Sequence, residues 1–152
     1  MADLGHDVRS DTKTGNRRTR RGDRGAAGTA VRVAAGIVLI AHGLIHLMGP
    51  VLLWRWGQPG TLRYADVHPE AGSVAGVAVG VLWLAAAGLF TVAGALLVLD
   101  RPRWRPVAVI GVAFSVPALT TSASAAAAGL VIDALVLTAV VLSARNQRRV
   151  PA

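Results

Sequence analysis

The sequence predicts an all-α integral membrane protein, a four-helix bundle carrying a disordered N-terminal tail. Three observations predict it. Charge is missing from three long apolar stretches: 22 positions between Arg32 and Arg55, 29 between Glu70 and Asp100, and 39 between Arg105 and Arg145 whose single charge is Asp133. A helix needs about 20 apolar residues to cross the hydrocarbon core of a bilayer. The arginines gather at the edges of these stretches, where a membrane protein keeps them. Finally, 53% of the residues are apolar and the mean hydropathy is +0.52, both high for a water-soluble domain.

Residues 1–28 are polar, charged with both signs and without helical or strand periodicity, which predicts the tail. The charged region is too long for a signal peptide, and the apolar segment after it exceeds the roughly 7–15 residues of a signal-peptide core. The Arg17-Arg18 and Arg20-Arg21 pairs lack the motif and cleavage site of a twin-arginine signal.

The membrane domain spans about 29–146, and 147–152 form a second short tail. The first span covers about 29–54 and the second about 73–99. The 39-residue stretch would measure about 58 Å as one helix, nearly twice the hydrocarbon thickness, so it must fold back. The hinge predicted is Thr120-Thr121-Ser122-Ala123-Ser124, where small hydroxyl residues interrupt the apolar run. This gives a short third span at about 106–121 and a fourth at about 124–144. Pro106 suits a first turn, and Pro117 should bend the third span.

Arginine and lysine counts orient the chain. The N-terminal segment through Arg32 carries eight basic residues, and the next connections carry two, three and none before three more at the C-terminus. That alternation places both termini in the cytoplasm, in a bacterial inner membrane. Arginine outnumbers lysine fifteen to one, a bias that fits a GC-rich bacterial genome. Trp54, Trp56 and Tyr64 then mark the outer interface and Trp104 the inner one.

With no cysteine, the chain has no disulfide, thiolate metal site or cysteine nucleophile. The net charge of +8 follows the arginines at the membrane edges and comes without the aromatic interleaving of a nucleic-acid platform, which excludes that partner. The partner expected is the lipid bilayer, with a homodimer or larger membrane complex beyond it. Gly36, Gly43, Gly76, Gly80, Gly88 and Gly94 allow close helix approach. They serve tight packing inside one bundle, or, along Gly76-x-x-x-Gly80, a homodimer face.

The candidate site lies inside the membrane. His42 and His46 are four residues apart and so share a helix face. Asp133 is the charged residue within the spans. All sit roughly 10–15 Å below the outer surface, with Trp83 and Ser115 at a similar level as wall residues. Ionisable groups at such depth are functional candidates because burying them alone costs several kcal/mol. Four readings stay open. Asp133 accepts a hydrogen bond from His42 and the pair orients two helices. Or the group handles protons or substrate in a small transporter. Or it binds a quinone or other lipid-soluble ligand. Or it holds metal or haem. Two histidines at i and i+4 with a carboxylate from another helix can make a three-ligand zinc site. His42-Gly-Leu-Ile-His46, however, lacks the glutamate of a zinc protease, and no other span has a histidine to complete bis-histidine haem. No cofactor or metal is therefore assigned, and an enzyme is not the expected class. Asp66, His68 and Glu70 in the outer loop read as a solvated patch.

Ala41-His-Gly-Leu-Ile-His-Leu-Met-Gly49 and Gly129-Leu-Val-Ile-Asp-Ala-Leu-Val-Leu137 resemble the first and last helices of a loose group of small four-helix actinobacterial integral membrane proteins. A more distant similarity is to DoxX-like four-helix proteins. The resemblance covers roughly residues 30–144. It implies a four-helix membrane fold, and the DoxX-like similarity adds weight to the quinone-linked reading. The function expected is thus a structural or accessory membrane subunit, or a small ligand-binding bundle. The alternative is a small proton-coupled transporter or quinone-linked membrane protein using His42, His46 and Asp133.

Overall fold

The computed structural model describes residues 11–121 and 123–148, with side chains described for 26–121 and 127–145. The described chain is all-helical: α1 (Asp11–Ile45), α2 (Met48–Leu53), a single 3-10 turn (Tyr64–Asp66), α3 (Val74–Val98), α4 (Trp104–Thr120) and α5 (Ala123–Arg148). Three helical stretches are long and apolar enough to cross a membrane: Ala26–Leu53, Val74–Val98 and Ala127–Arg145. The fourth, α4, is apolar but has 17 residues.

The expected first span is interrupted. The helix breaks at His46 and Leu47, whose backbone N–H groups bond to Gly43 and Leu44, three residues back. Pro50 explains the break: its ring clashes with the carbonyl four residues earlier, which is that of His46, and it has no N–H to offer. Toward the N-terminus α1 begins at Asp11, inside the segment expected to be a tail, while residues 1–10 lie outside the described residues. Extending a helix already nucleated costs far less than starting one, so packing of the apolar part can carry the helix outward.

α1 and α3 run antiparallel in close contact. A Cβ built on Gly36 would sit 2.9 Å from the Gly94 carbonyl oxygen, and one on Gly94 would sit 2.6 Å from that of Gly36. Two turns further on, Gly43 lies against Ala87 and Thr91. α4 packs on α3, where Gly111 meets Phe90, and α5 packs chiefly on α4, where Gly129 meets Leu119. Gly76 and Gly80 are buried within the chain, Gly76 against the Glu70 carbonyl and Gly80 beneath the Trp54 indole. That face of α3 is therefore filled by this chain's own α2–α3 connection. Gly88, by contrast, has open space around it.

Both α2 and α3 end in a Schellman motif. Trp56 N–H bonds the Val51 carbonyl and Arg101 N–H the Leu96 carbonyl, with Arg55 (φ 59°) and Asp100 (φ 58°) in the left-handed position. Asp100 also pairs with Arg32, tying the end of α3 to α1. At the other end Trp54 and Trp56 meet edge to face at 4.8 Å, and Arg55 stacks 5.9 Å from Tyr64. The bundle is apolar on its outside as well as in its core, and a small polar group lies within that core. Ile37, Val38, Val81, Leu135 and Leu142 are more than half exposed, while His42, His46, Ser115 and Asp133 are buried. Thr91 and Thr138 bond the carbonyls of Ala87 and Ala134, one turn back, which satisfies their hydroxyls inside apolar helices.

Candidate functional site

Four polar side chains from three helices converge in the centre of the bundle. His42 and His46 come from the last turns of α1 and the break that follows it, Ser115 from α4 and Asp133 from α5. His42 Nε2 lies 3.0 Å from Asp133 Oδ1. His46 Nδ1 lies 2.9 Å from the His42 carbonyl, and its Nε2 lies 2.8 Å from Ser115 Oγ.

These contacts fix the direction of each bond. A carbonyl oxygen only accepts, so His46 carries its hydrogen on Nδ1 and donates it to His42. His46 Nε2 is then bare and accepts from the Ser115 hydroxyl. On His42, Nε2–H donates to the Asp133 carboxylate, and in the neutral ring this leaves Nδ1 bare. No hydrogen bond engages that Nδ1 among the described residues, nor is it one of the wholly occluded polar atoms that lack a partner.

The break at Pro50 has a direct role here. An unbroken helix bonds each carbonyl to the N–H four residues on. At His42 that bond is stretched to 3.4 Å, and the His46 ring supplies a shorter one. The kink thus turns His46 back onto α1 and toward α4. The two rings meet edge to face at 4.6 Å, and Phe90, wholly buried, packs on both.

A cavity of about 220 Å³ lies beside the two histidines. Its walls come from α1 and α2 (Ile45, Met48, Gly49, Leu52), α3 (Trp83), the end of α4 (Leu119) and the first turns of α5 (Ala128, Gly129, Ile132). Leu62, Asp66 and Val67 of the α2–α3 connection line it at the end of the bundle. The wall is almost wholly apolar apart from His42, His46 and Asp66. Ile45 is 61% exposed and Met48 39%, so the cavity reaches the bundle surface beside α1 and α2.

The structure gathers His42, His46, Asp133 and Ser115 into one hydrogen-bonded set. Trp83 lines the cavity, its ring 5.2 Å from that of His46, whereas Ser115 lies behind His46 and not in the wall. Within the site, Asp133 Oδ2 and Trp83 Nε1 are buried without a hydrogen-bond partner among the described residues. Among the described residues no group of three His, Cys, Asp or Glu side chains is placed to hold a metal ion, and both His46 nitrogens are already committed. In the α2–α3 connection, Asp66 accepts the Arg63 N–H at 2.7 Å and so serves the fold of the loop. Sequence reasoning missed Phe90, Gly49 and the loop residues Leu62 and Val67. Pro50 was the signal for the break, since a proline in the helical run disrupts the turn before it.

Comparison with protein-family models, curated proteins and solved structures returned no match.

Proposed function

We propose that this chain is a multi-pass protein of the bacterial inner membrane whose bundle binds a small lipid-soluble ligand beside His42 and His46. The observation that carries this reading is the cavity of about 220 Å³ with an apolar wall and histidines at one side. Ligand sites of this kind are concave and mostly apolar, with a few placed polar groups that orient the occupant. An apolar cavity of about 150 Å³ holds benzene, so this one has room for a larger ring compound. The likeness to small four-helix actinobacterial membrane proteins supports the same architecture.

The arginine distribution supports cytoplasmic termini. It fits the geometry, since the start of the apolar part of α1 and the α3–α4 connection lie at one end of the bundle, joined by Arg32 and Asp100. The cavity then lies in the outer half of the membrane.

The test is saturable binding of naphthalene to the protein in lipid nanodiscs, measured against empty nanodiscs by intrinsic tryptophan fluorescence. Binding lost when Ala128→Trp fills the cavity mouth supports the reading; partitioning equal to that of empty nanodiscs overturns it.

A second reading draws on Asp133 Oδ2, a buried carboxylate oxygen without a partner. Such a group beside a histidine can exchange a proton, which supports proton-coupled movement of a solute. Acidification of vesicles that depends on both His42 and Asp133 would favour it over binding alone.

A further inference from the structure

Resting on the binding reading above, we infer that the cavity selects ligands bearing a hydroxyl group, phenols above all, by a hydrogen bond donated to His42 Nδ1, and admits them sideways from the lipid. The polarity follows from the bonds already described. Asp133 takes the hydrogen on His42 Nε2, so in the neutral ring the other nitrogen presents a lone pair. His46 can offer nothing, because both its nitrogens are engaged. His42 lines the cavity, is 3% exposed and keeps Nδ1 without a hydrogen-bond partner among the described residues. A buried acceptor in an apolar wall discriminates strongly against a ligand that has nothing to donate. A carbonyl or ether oxygen would face a lone pair there, whereas a hydroxyl satisfies it.

The route follows from the walls. Above the cavity, Val67 is 7% exposed and packs with Leu52, Leu53 and Trp83, and Leu62 packs against the same cluster. The loop therefore plugs the aqueous side. Toward the lipid, Ile45, Met48 and Ala128 line the cavity and are also exposed. α5 packs chiefly on α4 and touches α1 at few places, so the opening lies between α1–α2 and α5.

The experiment compares 1-naphthol with 1-methoxynaphthalene, a pair of closely similar shape in which one donates a hydrogen bond and the other does not. Both are titrated into the full-length protein in nanodiscs, with empty nanodiscs subtracted. The expected result is naphthol binding about tenfold tighter, a ratio equal to one net hydrogen bond. In His42→Ala the ratio falls to about one, and in Ala128→Trp naphthol binding disappears. Equal affinities in the wild type overturn hydroxyl selection while leaving the cavity a binding site. A preference that survives in folded His42→Ala overturns the assignment to His42, and naphthol binding undiminished in Ala128→Trp overturns the lateral route. Saturable binding of neither compound overturns the underlying reading as well. The wild-type comparison and Ala128→Trp, whose site is exposed, decide the matter even if His42→Ala does not fold.

Discussion

His42 and Asp133, 91 positions apart, meet at 3.0 Å in the interior of the bundle and link the first helix to the last. α1 rests mainly on α3 and α5 mainly on α4, so this bond joins elements that share little other surface. Both partners are nearly inaccessible, at 3% and 2% exposure.

Removing one partner should therefore cost much more than removing both. His42→Leu leaves a buried carboxylate without its donor, and Asp133→Leu leaves a buried imidazole without its acceptor. Each should destabilise by about 3–5 kcal/mol, and the double variant by clearly less than the sum. A double-mutant cycle by denaturant unfolding in detergent measures this. Additive losses would mean that the two side chains are not coupled.

Ser115→Ala should cost about 1–3 kcal/mol, because it removes the hydroxyl that bonds His46 Nε2 at a fully buried position. Ser115→Thr keeps the hydroxyl but adds a methyl at a wholly buried position, so it should recover part of that loss. The same unfolding measurement compares the two.

The glycines separate by position. Gly94→Val pushes a branched side chain into the Gly36 carbonyl and should destabilise by about 2–3 kcal/mol or rearrange the α1–α3 crossing. Gly88→Ala meets nothing and should be neutral or stabilising by up to about 1 kcal/mol through helix propensity. Equal effects at both positions would contradict the backbone approach of α1 and α3.

Pro50→Ala restores a backbone N–H and removes the clash with the His46 carbonyl. α1 and α2 should then join as one helix, moving His46 away from Ser115 and narrowing the cavity. The expected reading is at least about fivefold weaker naphthol binding, with helix content by circular dichroism equal to or above that of the parent.

Topology is testable because the chain has no cysteine. Thr61→Cys, in the exposed outer loop, should react with a membrane-impermeant maleimide in intact cells. Pro102→Cys, at the opposite end, should react only after the membrane is opened. The reverse pattern would invert the orientation.

Much of the architecture was legible because it rests on one-dimensional signals. Charge-free runs mark the spans, and Thr120–Ser124 marks the turn, with α4 ending at Thr120 and α5 starting at Ala123. The residues His42, His46 and Asp133 were legible because ionisable groups are rare in such runs. Less legible was what the groups do to one another. That Ser115 serves His46 and not the cavity wall depends on how α4 is rotated, and a helix that is apolar on every side carries no signal for rotation. Phe90 was invisible for the same reason, since one aromatic among many apolar neighbours announces nothing.

α4 has only 17 residues, about 25 Å of helix, against a hydrocarbon core of about 30 Å. In a bilayer such a mismatch is relieved by tilting the helix or by drawing the lipid thinner around it. The α4–α5 turn lies at the same end of the bundle as the cavity mouth, where Leu119 and Ala128 meet the opening. A local dimple there would bring the headgroup layer down toward the histidines. An amphiphile drifting in that leaflet would then arrive with its polar end already at the depth of His42.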